Sequence, residues 1–166
     1  ELNAWDINRF YSLFTSTQGK EEIEIDASGI KGGGLPYVGA TKQDDYSAYL
    51  TVVPGSFFAN IYLEYGSRLL EGNVRSFLSI RGKVNKAIRG TILQEPEMFF
   101  AYNNGIAATA TEIETSIVDG KQLITKIKDM QIINGGQTTA SIANAVLQDK
   151  ADLGEIYVPM KLSVVD

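Results

Sequence analysis

Neither Cys nor His occurs in the 166 residues, which excludes thiolate and imidazole metal sites, Ser-His-Asp triads and cysteine nucleophiles. Chemistry must come from carboxylates, amides, hydroxyls, Lys, Arg or backbone groups. The sharpest pattern is Asn134-Gly135-Gly136-Gln137-Thr138-Thr139, set between the apolar pair Ile132-Ile133 and a run that places Thr139, Ile142, Ala143, Val146 and Leu147 on one helical face. Two glycines permit a tight strand-to-helix turn and close approach of a ligand. The N–H groups of the first helical turn then point outward, a geometry suited to phosphate or another anion. Thr138 is the better hydroxyl donor, because the apolar face turns Thr139 inward. The spacing matches neither a Walker A loop nor G-x-G-x-x-G, and the same residues also suit a plain strand-to-helix turn.

Asn103-Asn104-Gly105 is a second polar constellation, since amides read base edges or position substrates while Asn-Gly also makes an ordinary turn. Asn73 and Asn85 add neutral donors beside Arg75 and Lys86. The net charge of −5 conceals a basic segment. Arg68, Arg75, Arg81, Lys83, Lys86 and Arg89 face one acid, Glu71, in the stretch 68–89, so this stretch can attract phosphate while the rest of the chain is acidic. The acidic cluster Glu21, Glu22, Glu24 and Asp26 alternates with Ile23 and Ile25 and reads as the outward edge of a strand rather than as metal ligands. No catalytic residue and no metal site are expected here, and no cofactor is indicated.

These residues need elements to hold them. Helical spacing of Ile7, Phe10, Leu13 and Phe14 follows Asp6. Glu22 to Asp26 is a short strand, and the glycine-rich stretch from Ser28 to Gly39 is expected to be a loop. Tyr46 to Val53 is a strand, followed by a helix capped by Ser56 and stopped at Gly66. Residues 70–80 fit helix or strand equally. Val84, Ala87, Ile88 and Ile92 form a helix ended by Pro96. Residues 106–118 and 121–133 predict a long hairpin turning at Asp119-Gly120, and Ile156 to Val165 a last strand whose Pro159 suggests an edge or a bulge. Most of the aromatic set Phe57, Phe58, Tyr62, Tyr65, Phe77, Phe99, Phe100 and Tyr102 belongs to the core. The whole predicts one α+β domain, a mixed sheet containing the long hairpin (about 106–133) with helices packed on it. With Glu1 first and an apolar strand last, it is expected to be a fragment of a larger protein. No run is long enough to span a bilayer and no leader is evident, so no membrane partner and a cytoplasmic location are expected.

Four stretches carry a resemblance: Tyr49-Leu50-Thr51-Val52-Val53-Pro54-Gly55, the run from Tyr65-Gly66-Ser67-Arg68 to Ser76-Phe77-Leu78, Tyr102-Asn103-Asn104-Gly105-Ile106, and Ile133-Asn134-Gly135-Gly136-Gln137-Thr138. In this order they are similar to the AIPR family, bacterial proteins named for abortive infection and phage resistance, over about residues 46–147. The resemblance implies a domain of a phage-defence protein. Family members are longer, and their upstream region often looks like a D…QxK nuclease core, a pattern absent here. The Asn-Gly-Gly-Gln turn also looks like the D-G-Q-H-R turn of DGQHR-domain proteins and, through it, the phosphate-binding turn of the ParB and sulfiredoxin superfamily. There a basic residue follows the turn. Here Thr138 and Thr139 stand in its place, so a cation would have to come from Arg75 or Arg89. The resulting expectation is a phosphate-bearing ligand, nucleotide or nucleic acid, held by Asn134, Gly135, Gly136, Gln137, Thr138, Asn103, Asn104, Gly105, Asn73, Arg75, Asn85 and Arg89. Two alternatives stand beside it: the non-metal-binding part of a nuclease whose core lies upstream, and a protein-interaction scaffold. Oligomeric state is not fixed by the sequence.

Overall fold

The computed structural model describes residues 22–70 and 83–165. The helix expected after Asp6, the ambiguous stretch beyond Leu70, and Asn73, Arg75 and Arg81 lie outside the described residues. Eight strands and four α-helices follow in the order β1 (Glu24–Asp26), β2 (Leu35–Lys42), β3 (Tyr46–Pro54), α1 (Gly55–Tyr65), α2 (Lys83–Gln94), α3 (Phe99–Tyr102), β4 (Ile106–Ala110), β5 (Glu112–Val118), β6 (Lys121–Lys128), β7 (Gln131–Asn134), α4 (Gly136–Asp149) and β8 (Tyr157–Val165). The class is α+β: a curled, mixed sheet with the helices packed on it.

The hairpin forms and bends. Asp119 (φ 50°) and Gly120 (φ 75°) make the two-residue turn, with Val118 opposite Lys121, the positive φ pair that suits strand twist. Past Thr111 on one arm and Asp129-Met130 on the other, the arms change partners. In the upper half β6 pairs with β5 on one side and with β1 and β2 on the other, whereas in the lower half β4 lies between β7 and β8. Asp129, at φ 48°, pins the bend: its N–H donates to the Ile23 carbonyl at 2.7 Å, and its Oδ1 accepts from the Ile23 N–H at 3.0 Å. Strand pairing then runs from β6 to β2, β3, β8 and β4, and β4 continues through Thr111 into β5, which returns to β6. The sheet therefore curls until its neighbours close a circuit.

Three expectations need correction. The glycine-rich loop ends at Gly34, and β2 begins at Leu35: Leu35 is buried against Ile124, and pairing with β3 extends the strand to Lys42. Tertiary pairing here overrides a poor local propensity. β8 is an interior strand between β3 and β4, with no bulge on β3. Pro159 fits because β4 joins β8 only at Met160, so its missing N–H costs no ladder bond on that side. The helix after β3 begins at Gly55 behind Pro54, and Ser56 gives it no side-chain cap. Its C-terminal stop at Gly66 (φ 57°) is as expected.

The core joins Phe57, Phe58 and Ile61 of α1, Ile142 and Ala145 of α4, Phe99, and the inward row Val158, Met160, Leu162 and Val164 of β8. Alternation along β8, with Tyr157 and Lys161 exposed, gives the sheet one buried and one open face there. Among the described residues, Phe100 and Tyr102 are the exposed members of the aromatic set, and Leu147, placed on the apolar face of α4 by its spacing, is exposed as well. Gly55 sets the approach of α1 to β8. Its N–H donates to the Ile156 carbonyl at 2.7 Å, and a Cβ placed on it would lie 2.5 Å from Ile156 Cγ2. Gly55→Ala should therefore destabilise the protein by about 1–3 kcal/mol through overpacking, read from urea unfolding. An unchanged midpoint would show that Ile156 yields freely.

Candidate functional site

Two turns separated by more than thirty residues meet at one end of the sheet. Asn103 follows α3, and its Oδ1 accepts the Gly105 N–H at 2.9 Å, closing a local turn. Its Nδ2 donates to Thr138 Oγ1 at 3.0 Å in the first turn of α4. Gly105 (φ 84°) and Gly135 (φ 90°) adopt backbone that L side chains rarely reach, and both are in tight contact. A Cβ on Gly105 would lie 2.5 Å from the Pro159 carbonyl oxygen, and one on Gly135 would lie 2.8 Å from the Gly105 carbonyl oxygen. The two glycines of the sequence motifs are thus a stack of backbones.

At this junction Gly135 precedes α4 as its N-cap and supplies no side-chain cap. The N–H groups of Thr138 and Thr139 both bond the Gly135 carbonyl, at 3.0 and 3.3 Å. Asn104 and Asn134 are exposed and Gln137 half-buried, so three amide side chains edge the opening turn of α4. Thr138 is only 5% exposed, and its Oγ1 accepts from Asn103 Nδ2, which leaves its O–H as a donor. Thr139 is fully buried, as its place on the apolar face implied, and its hydroxyl has no partner.

Arg89 does not reach this junction. Its Nε donates to Asp149 Oδ2 at 2.8 Å and its Nη2 donates to Asp149 Oδ1. Asp149 is the last residue of α4, about 20 Å from the glycine turn at 1.5 Å per residue. Asn85 lies one turn before Arg89 on α2, with its Oδ1 buried and unpartnered among the described residues. Register instead supplies Lys161. Asn134 pairs with Ala107 and Ala107 with Lys161, so the exposed Lys161 lies on the same open face, two strands from Asn134. Only the pairing of β4 with β8 reveals this, which no local signal in the sequence announces.

The acidic strand is accounted for by its neighbours. Glu24 and Glu114 both hold Lys126, at 3.1 and 3.4 Å, and Glu112 holds Lys128 at 2.7 Å, a ladder of charges across β1, β6 and β5. These bonds keep both ammonium groups charged, pushing their pKa values up. Asp26 is held below the usual carboxylate range by the hydroxyl and N–H of Ser28. Among the described residues no three acidic groups converge on a point that would hold a metal ion, and no helix is long and apolar enough to cross a membrane.

Two outcomes test this geometry. Thr138→Val keeps the shape and removes the acceptor for Asn103, at an expected cost of about 1 kcal/mol, and Asn103→Ala should cost about 1–3 kcal/mol. In a double-mutant cycle of unfolding free energies, the pair should cost clearly less than the sum. Additive values would mean that the two turns are not coupled. The second concerns Asp149, whose carboxyl Arg89 holds below its ordinary value by hydrogen bond and charge. A depressed folded pKa stabilises above the unfolded value, about pH 4, and the contribution disappears as pH falls through the folded one. Asp149→Asn should therefore lower the melting temperature at neutral pH, with the gap closing in acid. A gap that persists below the carboxylate range would disprove the pairing.

The model of the family described as AIPR protein matches residues 70–166. It takes in the Asn-Asn-Gly turn, the whole hairpin, the glycine turn, α4 and β8, so it extends past the expected limit at 147 but begins at Leu70 rather than near 46, which leaves the Tyr49–Gly55 stretch outside it. No curated protein and no solved structure matches the chain. With more than half its length matched, and with the junction of its two turns inside the matched part, the chain belongs to the AIPR family.

Proposed function

We propose that this domain of a phage-defence family binds a phosphate-bearing ligand, a nucleotide or nucleic acid, at the junction of the 103–105 and 134–138 turns. The observation that carries the reading is the start of α4. It follows a left-handed glycine without a side-chain cap, and it is held against the Asn-Asn-Gly turn by the Asn103–Thr138 hydrogen bond. A helix start of this kind favours negative charge through its outward N–H groups and its dipole. Exposed Asn104 and Asn134 add neutral donors and acceptors able to read a base edge, and Lys161 adds a cation on the open face. The function assigned is recognition.

Gln137→Glu is the test. It changes one amide to a carboxylate of the same shape in the first turn of α4, which favours the helix dipole and repels an incoming phosphate. Titration calorimetry with inorganic phosphate, a nucleotide panel and short single-stranded DNA and RNA should show binding by the wild type. Gln137→Glu should weaken that binding at least about tenfold, equivalent to about 1.4 kcal/mol, while the melting temperature holds or rises. Lys161→Glu should weaken it further. No binding by the wild type, or equal binding by Gln137→Glu, would refute the reading.

A further inference from the structure

β5 offers a hydrogen-bonding edge. Among the described residues it pairs with β6 alone. The one register shift in that pair leaves β5 regular, because Glu114 faces Lys126 and Thr115 faces Ile124, which puts the extra residue, Thr125, on β6. In a two-residue hairpin the residues flanking the turn, here Val118 and Lys121, exchange bonds with each other. Alternate residues then point the other way, so Ile117, Thr115 and Ile113 direct their N–H and C=O groups to the open edge.

Within β5 itself the usual sequence protections of such an edge are missing. Glu112-Ile113-Glu114-Thr115-Ser116-Ile117-Val118 contains no Pro and no Lys, and it is rich in β-branched residues. Its two charges, Glu112 and Glu114, are already engaged by Lys128 and Lys126 of the same chain. Ile117 is 72% exposed, the highest value among the large hydrophobic side chains of the described residues.

We propose that β5 pairs antiparallel with β5 of a second copy of this chain, about a two-fold axis at Thr115. Charge and length of overlap select this register, because an axis at Thr115, the middle of Glu112–Val118, pairs the whole strand. A two-fold at Ile113 would set Glu112 against Glu114, a repulsive pair, whereas the axis at Thr115 sets Glu112 against Val118, Glu114 against Ser116 and Ile113 against Ile117. Thr115 then faces its own copy, and every residue whose backbone groups point to the open edge meets another of the same kind. The sheet becomes continuous across the pair, and the exposed Ile117 of each copy gains the Ile113 of the other. A closed two-fold contact of this type is self-limiting. It is independent of the phosphate reading.

The absence of Cys makes the test clean. Thr115→Cys places one thiol in each chain. Opposed residues in a hydrogen-bonded antiparallel pair have Cα atoms about 5.5 Å apart, within disulfide range. Sedimentation of the full 166-residue chain at micromolar concentration should show a dimer, and mild oxidation of Thr115→Cys should give one covalent dimer band on a non-reducing gel. Val38→Cys, exposed on β2, is the control for random collision and should remain largely uncrosslinked. Ile117→Lys should keep the circular dichroism of the wild type and raise the dimer dissociation constant at least about tenfold, equivalent to about 1.4 kcal/mol. A monomeric wild type, crosslinking of Val38→Cys to the same extent as Thr115→Cys, or an unaltered dimer in Ile117→Lys would each overturn the proposal.

Discussion

Three backbones meet where Gly135 lies on Gly105 and Gly105 lies on Pro159, too close for any Cβ to intervene. The rest of the lower half follows from this contact. β4 and β8 are parallel and begin at the same end of the sheet, so a long connection must separate them. The hairpin, β7 and α4 are that connection. It returns to its starting level only because the chain can turn at Gly135 while touching the start of β4. A side chain at either glycine would push α4 off the sheet and with it the buried faces of Ile142 and Ala145.

The bend of the hairpin is the second constraint, and it shows why local and distant information differ. Asp119-Gly120 is legible because the turn is decided by the φ preferences of two adjacent residues. The bend at Thr111 and Asp129 is decided by Ile23, 106 residues from Asp129 along the chain. Nothing in the hairpin's own sequence marks that partner. The same holds for β2: Leu35-Pro36 reads as the tail of a glycine loop until β6 and β3 are brought to its two ends. Helices fared better, since α2 and α4 announce themselves by spacing and by Pro96 and Gly135 at their limits.

In the candidate site, residue types were legible and their company was not. The sequence singled out Asn103, Gly105, Gly135 and Thr138, and the fold places them within one network of contacts. It could not show that Thr138 would be buried in that network as the acceptor for Asn103, or that Arg89 would be tied to the far end of the helix whose beginning it was meant to serve. Charge counted along the chain misleads for the same reason. Glu24, Glu112 and Glu114 look like a reservoir of negative charge, but two lysines of β6 lie between their strands.

That distribution bears on how an anion would be held at the junction. Binding driven by counterion release needs cations that are free to neutralise phosphates, and its strength falls steeply with salt. Lys126, Lys128 and Arg89 are committed to carboxylates of the same chain, whereas Lys161 stands on the open face, two strands from Asn134. Backbone N–H groups and amides hold phosphate by direction rather than by net charge. They are rigid here because the glycine stack and the Asn103–Thr138 bond fix both turns. Under the proposed reading, a junction of this composition would select by geometry, through which atoms of the ligand reach the N–H groups and which reach Asn104 and Asn134, and it would draw little of its affinity from long-range attraction.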